Sequence, residues 1–379
     1  MRKFQTGKVV KAESFLGRDA LVKELDLYIE MGQSVVLIAP RRFGKTSLMT
    51  KVIAERQSTH RAVAIDLMEV YNKRDLAELI ISETYKIMGI HGVIAQLKDI
   101  SIAFMQNLIN HLARIKVSVD DISLELTGEL LKSKDDDGLL DLALALPGKV
   151  ASKMGIELIF ALDEFGELDK FQSGNELLDK MRSVFQHEEH IVYLFAGSQY
   201  TLMQKIFVEK NSAFHKFAKV VDVPAMHGDE FEDLYKSVFY ANGVSIPAGF
   251  AQDIERISSG IPYYMVRIAQ QVLIDSKLRD IMNVSCFRVR RAALKVYEKE
   301  SSYFTSELSK LRGKKYDINA LEAIASSKSP TVALKELDVS RQNANKILKG
   351  LIAFGFIEKD PKYRIVDPFF SRYIRMLKR

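Results

Sequence analysis

Apolar and polar positions along the chain fall into two alternating rhythms. Leu21, Leu25 and Tyr28 recur at helical spacing and predict a helix over Asp19 to Met31. The β-branched run Ser34-Val-Val-Leu-Ile38 follows directly and reads as a buried strand, with a helix from Ser47 to about Arg56 behind it. Further strands are expected at Ala62 to Leu67, Leu158 to Leu162, Ile191 to Ala196 and Val220 to Val223, with helical patterns between them. Strands alternating with helices imply an α/β fold, in which a parallel sheet is covered by helices on both faces.

The stretch from about 73 to 153 is long for one connection and reads as an insertion. Helices are expected over Asp75 to Met88 and Ile100 to Ile115, and an extended hairpin arm over Val117 to Leu126. The acidic run Asp135-Asp-Asp137 reads as a solvated loop rather than a metal site. After Asp229 strand signals fade. Amphipathic helices are expected at Asp229 to Ala241, Phe250 to Ser258 and Tyr263 to Ser276, then a long one from Cys286 to Leu311. The tail reads as helices Ile318 to Ser326, Thr331 to Leu337 and Arg341 to Phe354, then short strands at Phe356 to Lys359 and Tyr363 to Val366. Three units follow: residues 1–228, a helical unit 229–312, and residues 313–379.

Length supports this division, because 379 residues exceed what one core of about 250 to 300 residues organises. With 47% apolar and 27% charged residues, composition is that of a soluble globular protein, neither disordered nor fibrous. The opening Met-Arg-Lys-Phe-Gln-Thr-Gly-Lys lacks the apolar stretch of a secretory signal, and no apolar run approaches the roughly 18 residues needed to span a bilayer. A cytoplasmic protein without membrane partners is therefore expected. The single cysteine, Cys286, excludes an internal disulfide and is expected to be a buried structural thiol.

Charge is unevenly spread. Residues 301–379 carry 16 Lys and Arg against 8 Asp and Glu, so the net +6 of the chain divides into +8 there and −2 over residues 1–300. A basic C-terminal unit points to a polyanionic partner.

Between the first strand and helix lies Ala39-Pro-Arg-Arg-Phe-Gly44-Lys45-Thr46, the phosphate-loop pattern with alanine in place of the first glycine. Gly44 lets the backbone approach phosphates, and the amides of Phe43 to Thr46 lie at the positive end of the following helix. Lys45 supplies a point charge for the β and γ phosphates, and the Thr46 hydroxyl is a magnesium ligand. About 117 residues later, Ile156-Glu-Leu-Ile-Phe-Ala-Leu-Asp163-Glu164 ends an apolar strand in two carboxylates. Asp163 suits the metal and Glu164 the attacking water. Together these motifs predict ATP or ADP with Mg2+ as ligands and ATP hydrolysis as the activity. A rapid reaction needs another cation, for which Arg41, Arg42, Arg182 and Arg267 are candidates, each with a structural role as the simpler reading. His187-Glu-Glu-His190 has its histidines three apart rather than four, which does not suit a metalloprotease helix.

At these residues the chain resembles the AAA+ superfamily, specifically archaeal-type ATPases of the STAND group, related to the Orc/Cdc6-like initiators. Phe15-Leu16-Gly17-Arg18 is similar to the family's N-terminal motif, whose backbone lies against adenine. Pro40, Arg41, Arg42, Phe43, Gly44, Lys45, Thr46 and Ser47, continuing into Leu48, resemble its phosphate loop. Phe195-Ala-Gly-Ser198 resembles its sensor segment, which implies that Ser198 or Gln199 nears the γ phosphate. Gly260-Ile-Pro262 matches the signature of its helical lid, implying that Pro262 approaches the nucleotide. The resemblance implies a three-layer αβα P-loop domain, a lid, and a C-terminal winged helix. The arginine that the family places before its fifth strand is replaced by Phe214-His-Lys-Phe217, with only Lys216 basic, and Tyr263 and Tyr264 stand where initiators carry a lid arginine. Slow, switch-like hydrolysis is therefore expected.

Within the winged helix, Arg341-Gln-Asn-Ala-Asn-Lys-Ile-Leu-Lys349 would be the recognition helix. Arg341, Gln342, Asn345, Lys346 and Lys349 would face a major groove of double-stranded DNA, and Lys362 and Arg364 would reach phosphates from the wing. Ile347, Leu348, Leu351 and Ile352 would pack its core. The other reading is a domain docked on the ATPase or on a protein partner, with nucleotide-dependent assembly.

Overall fold

The computed structural model describes residues 4, 9–87, 136–171, 174–309, 311, 315–360 and 362–377. The expected helix at Ile100 to Ile115 and the arm at Val117 to Leu126 lie outside them.

Five parallel strands run in the order β2-β3-β4-β1-β5, formed by β1 (Val35–Ile38), β2 (His60–Asp66), β3 (Glu157–Asp163), β4 (Ile191–Gly197) and β5 (Lys219–Asp222). The central strands β1 and β4 are buried along their whole length, whereas the edge strands alternate between buried and open positions. This difference follows from helices covering both faces. Alternate side chains of each strand serve opposite layers. Val36, Ile38, Phe160, Leu162, Tyr193 and Phe195 pack towards α3 (Lys73–Ile87), α4 (Asp136–Met154), α5 (Gly174–Phe185) and α6 (Tyr200–Phe207). Val35, Leu37, Ile159, Ala161, Leu194 and Ala196 pack towards α1 (Asp19–Glu30) and α2 (Lys45–Glu55).

Two expectations within the 73–153 stretch are corrected. Asp136 and Asp137 open the first turn of α4, and Lys73, Arg74 and Lys180 pair with them at 2.7, 3.3 and 3.8 Å. The helix forms because Leu139, Leu140, Ala143, Leu144, Leu146 and Val150 make a buried stripe, which outweighs Pro147 within it. α3 and α4 belong to the same core as β2 and β3, so they are a covering layer of the sheet.

Phe214 and Phe217, in the segment where the family resemblance places an arginine, join Phe165, Phe195 and Phe207 in a ring cluster with centroid separations of 4.8 to 6.1 Å. The position is filled by core packing.

The C-terminal half consists of α7 (Asp229–Tyr240), α8 (Phe250–Ser258), α9 (Pro262–Leu278) and α10 (Cys286–Ser309). Beyond it lie α11 (Lys315–Ala325), α12 (Pro330–Lys335), α13 (Arg341–Ala353), the antiparallel hairpin β6 (Ile357–Asp360) and β7 (Lys362–Ile365), and α14 (Pro368–Leu377). One apolar cluster runs through all of it, from Phe231 and Tyr264 through Phe304 to Leu348 and Phe369, so α7 to α10 and the tail share a core. Cys286 is exposed, contrary to expectation, because it opens the first turn of α10 while the buried stripe of that helix begins at Val289.

Candidate nucleotide-binding site

The carboxyl ends of β1, β3, β4 and β5 meet at one edge of the sheet, and Lys45, Thr46, Asp163, Glu164 and Ser198 lie at or after those strand ends. Open parallel sheets bind ligands at this edge. Positive φ angles in the loop after β1 fall on Arg42 at 76° and Gly44 at 80°, while Ala39 has an ordinary backbone, so alanine is accommodated at the first position. Gly44 caps α2, which starts at Lys45, two residues earlier than expected.

Lys45 is 4% exposed and turns back on the loop, its Nζ donating to the carbonyls of Ala39 at 2.9 Å and Pro40 at 3.3 Å. Glu164 Oε1 lies 3.9 Å from that Nζ. Burial pushes the Lys45 pKa down, opposed by Glu164 and Asp163. The Thr46 hydroxyl donates to Asp163 Oδ2, and Asp163 Oδ1 accepts the Glu164 N–H at 2.9 Å. Burial raises the Asp163 pKa, with the Thr46 bond acting in the opposite sense. A hydroxyl and a carboxylate oxygen side by side are the hard donors that magnesium takes. No group of three His, Cys, Asp or Glu able to hold a metal occurs among the described residues. A cation at Thr46 and Asp163 would thus complete its shell from water and phosphate, as magnesium commonly does.

Glu164 has φ 51°, and its Oε2 accepts both the Ser198 N–H at 3.0 Å and the Ser198 hydroxyl at 2.7 Å. Ser198 thus meets Glu164 directly. Gln199 reaches Glu167 instead, at 3.4 Å. Ser47 accepts the Val10 N–H at 3.1 Å, which fixes the chain before the N-terminal motif against α2.

Arg18 is a hub. Gly17 and Arg18 both have positive φ, at 67° and 57°. The buried Arg18 guanidinium donates to the carbonyls of Phe43 at 2.7 Å and Pro224 at 2.6 Å, and the Arg18 backbone N–H donates to Glu230 Oε1 at 2.6 Å. Burial lowers its pKa to about 10, with Glu230 opposing. Leu16 packs against the C-terminal cluster while Phe15 packs against the sheet, so the segment bridges the two halves. Pro262 opens α9, and its neighbour Ile261 lines the cavity beside the loop.

Arg42, grouped in the sequence with Arg41, Arg182 and Arg267 as a candidate cation, has partners that the sequence does not reveal. Its guanidinium bonds to Glu300 at 2.6 Å, to the Tyr264 hydroxyl and, at 3.4 Å, to Asp367. It stacks over the rings of Tyr303 at 4.1 Å and Tyr263 at 4.7 Å. Arg41 is exposed on the wall of a cavity of about 300 Å³, shared with Ser198, Gln199, Tyr303 and Phe354 to Phe356. The other cations lie elsewhere: Arg182 donates to the Ala213 carbonyl and stacks on Phe217 at 4.5 Å, and Arg267 lies 5.9 Å from the Tyr263 ring. His190 pairs with Glu157 at 3.1 Å, consistent with a structural role.

On the tail, Arg341, Gln342, Asn345, Lys346 and Lys349 are exposed along α13, and Leu348 and Leu351 are buried beneath them. Lys362 and Arg364 are exposed on β7, and Arg364 pairs with Glu358 at 2.7 Å. The carboxyl end of α13 faces the half that carries the parallel sheet, where α13 meets α6 and Gly355 approaches the Ser198 carbonyl.

No family model and no curated protein matches the chain. Among solved structures, the chain is similar to a Walker-type ATPase of Pyrococcus abyssi, with 19% identity over 98% of this chain and 99% of that one, at a TM-score of 0.72. It is also similar to the ORC2 protein of Aeropyrum pernix in its ADPNP–ADP complexes, with 13% identity over 95% and 91% of the two chains, at a TM-score of 0.60. At such identities the likeness is one of fold: a five-stranded parallel sheet covered by helices, followed by a helical C-terminal region. No helix among the described residues is long and apolar enough to cross a membrane.

Proposed function

We propose that this chain is a magnesium-dependent ATPase whose nucleotide state governs its basic C-terminal unit, acting on double-stranded DNA. The observation that carries the reading is the convergence of Lys45, Thr46, Asp163 and Glu164 at one sheet edge, behind a loop with positive φ at Arg42 and Gly44. Lys45 leaves the Ala39 and Pro40 carbonyls to neutralise the β and γ phosphates, as the positioning logic of phosphoryl transfer requires. Thr46 and Asp163 would hold magnesium, which would supply charge neutralisation at the phosphate oxygens. Glu164 orients the water that attacks the γ phosphorus as the bond to the β,γ-bridging oxygen breaks. In the geometry described, Ser198 holds Glu164, which supports slow, gated hydrolysis. Backbone at Leu16 to Arg18 and the start of α9 at Pro262 would flank the base. The charge of +8 over residues 301–379 and the exposed Arg341, Lys346, Lys349 and Lys362 support duplex DNA as the polyanion.

A second reading is favoured by the contact between α13 and α6: a nucleotide switch that exchanges ADP for ATP and presents its C-terminal unit to a protein partner. Hydrolysis measured with and without duplex DNA, together with a Lys45→Ala control and the assembly state, separates the two. Stimulation by DNA supports the first. Indifference to DNA with tight ADP retention supports the second. Unchanged nucleotide binding in Lys45→Ala would remove both.

A further inference from the structure

We infer that Arg42 is a latch by which the phosphate loop holds the C-terminal half closed, and that a nucleoside triphosphate opens it by competing for the same guanidinium. The inference rests on the nucleotide-switch reading above and adds the residues that transmit the signal.

Three features of the contact point this way. Arg42 lies two residues before Gly44, yet its side chain faces the C-terminal half rather than the space over the loop. There it meets groups 222, 258 and 325 residues distant: Tyr264 on α9, Glu300 on α10 and Asp367 before α14. The backbone holds Arg42 at φ 76°, an uncommon conformation for a branched-off side chain with a Cβ, so the surroundings fix it in this orientation.

The contact is also built for a cation. Arg42 and Glu300 side chains are 15% and 7% exposed, and the ring faces of Tyr263 and Tyr303 enclose the guanidinium. Burial acts against the charged form of Arg42, but Tyr264, Glu300 and Asp367 outweigh it and its pKa is raised. Asp367 is itself fixed: its Oδ1 caps α14 by accepting the N–H groups of Phe369 at 2.8 Å and Phe370 at 3.0 Å, while its Oδ2 accepts the Tyr264 hydroxyl at 2.6 Å. Glu300 accepts the Tyr263 hydroxyl at 2.7 Å through its other oxygen. Both carboxylates are thereby aimed at the loop, and both belong to the half that shares one apolar core.

A triphosphate in the loop changes this balance. A guanidinium fork matches phosphate as well as it matches carboxylate. Phosphate oxygens drawing Arg42 inward leave Glu300 and Asp367 buried without their cation, which is strongly unfavourable. The phosphates would also face these carboxylates, and Glu307 on the adjoining cavity wall, as like charges, against which that wall sets Arg41 and the Lys170–Glu167 pair. Separation of the two halves relieves both. Residues 354–356, which line that cavity beside Ser198 and Gln199, move away with the tail and leave the γ-phosphate side of the loop open.

The test uses the full chain with Cys286→Ser as background and spin labels at Lys23→Cys on α1 and Lys335→Cys on α12, both exposed positions. Without nucleotide, a single narrow distance is expected. Arg42→Lys, which keeps the charge but loses the fork and the stacking, and Asp367→Asn, which keeps the cap of α14, should each lengthen and broaden that distance. A nonhydrolysable ATP analogue with magnesium should do the same to the unsubstituted latch. If both variants retain the narrow distance without nucleotide, while circular dichroism shows them folded, the latch is wrong. If the analogue binds, by displacement of a fluorescent nucleotide, and the distance stays narrow, the competition is wrong. If the analogue does not bind at all, the nucleotide reading and the competition fall together, and the nucleotide-free arm alone decides the latch.

Discussion

Ser198 gives both its backbone N–H and its hydroxyl to one carboxylate oxygen of Glu164, at 3.0 and 2.7 Å. A carboxylate so held has one oxygen committed, which restricts how its other oxygen, 3.9 Å from Lys45 Nζ, can be turned to orient a water at the γ phosphate. Removing the hydroxyl leaves the N–H bond in place and weakens the hold by one charge-assisted hydrogen bond. Ser198→Ala is expected to raise basal kcat by about 3- to 10-fold with little change in KM, which is about 0.7–1.4 kcal/mol and less than the roughly 1.5–3 kcal/mol of a full charge-assisted bond because the Ser198 N–H stays in place. A fall in kcat of tenfold or more would instead assign the hydroxyl to the γ phosphate.

Lys45 and Thr46 separate charge neutralisation from metal binding. Lys45→Ala is expected to weaken binding of a fluorescent ATP analogue by about 10- to 100-fold, the worth of one hydrogen bond from a charged donor. Thr46→Ala should leave binding measurable in EDTA unchanged but blunt the gain on adding magnesium. Titration of each variant with and without the metal reads both effects, and equal loss in the two conditions for Thr46→Ala would remove it as a ligand.

Asp163 makes the site costly when no cation occupies it. Burial raises its pKa, and the neighbouring Glu164 carboxylate adds to the effect. With the folded-state value raised, its contribution to stability is present below the ordinary Asp pKa of about 3.9 and is lost as pH rises through the folded-state value. At neutral pH the nucleotide-free protein carries this cost. Asp163→Asn removes the charge and keeps an acceptor for Thr46, so its melting temperature without nucleotide should exceed that of the parent by roughly 1 to 3 °C near pH 7. Calorimetry across pH should show the gap closing towards about pH 4. A lower melting temperature at neutral pH would show that the Asp163 hydrogen bonds outweigh its burial.

Much of the site was legible because its parts are local. The pattern Gly44-Lys45-Thr46 after a β-branched strand, and Asp163-Glu164 at the end of an apolar one, each state their chemistry within ten residues. The sheet was legible for the same reason, since β3 and β4 are continuous apolar runs. Partners fixed only by tertiary packing were not: Glu230, Glu300 and Asp367 read as ordinary carboxylates, and their link to Arg18 or Arg42 spans more than 200 residues. α4 was hidden by Pro147 and by an acidic run that resembles a loop. Burial of a lone cysteine is a compositional expectation, and it failed at Cys286 because position on the helix decides exposure.

The Gly-x-Pro signature acquires a steric reason at Gly260. Its φ is 69°, and a Cβ there would meet the Met226 carbonyl oxygen at 2.4 Å, while the Gly260 carbonyl accepts the Met226 N–H at 2.8 Å. The obstacle is backbone, so no side chain can swing away. Gly260→Ala is expected to destabilise by about 1–3 kcal/mol through left-handed strain, with the clash in addition. Urea unfolding would read this as a lower midpoint at an unchanged slope; a midpoint within error of the parent would show that the turn is free to shift.

The tail offers a second basic surface besides α13. Lys328, Lys359, Lys362, Arg364 and Arg375 line a cleft of about 840 Å³ between the hairpin, α14 and the turn before α12. Lys346 and Lys349 lie on α13, so a duplex held by both surfaces would neutralise phosphates at several points. Counterion release then makes the logarithm of affinity fall linearly with the logarithm of salt, with a slope near −0.9 per phosphate contacted. Lys362→Ala and Lys349→Ala should each reduce the magnitude of that slope by about 1 and weaken binding about equally for all sequences. Arg341→Ala and Asn345→Ala, at the end of α13 that would enter the groove, should instead relax discrimination between sequences with less change in slope. Fluorescence anisotropy over a salt series, with two unrelated duplexes, measures both quantities. Binding that ignores salt, or that survives removal of residues 315–379, excludes the tail as the DNA-binding element and leaves its exposed cations to a protein partner.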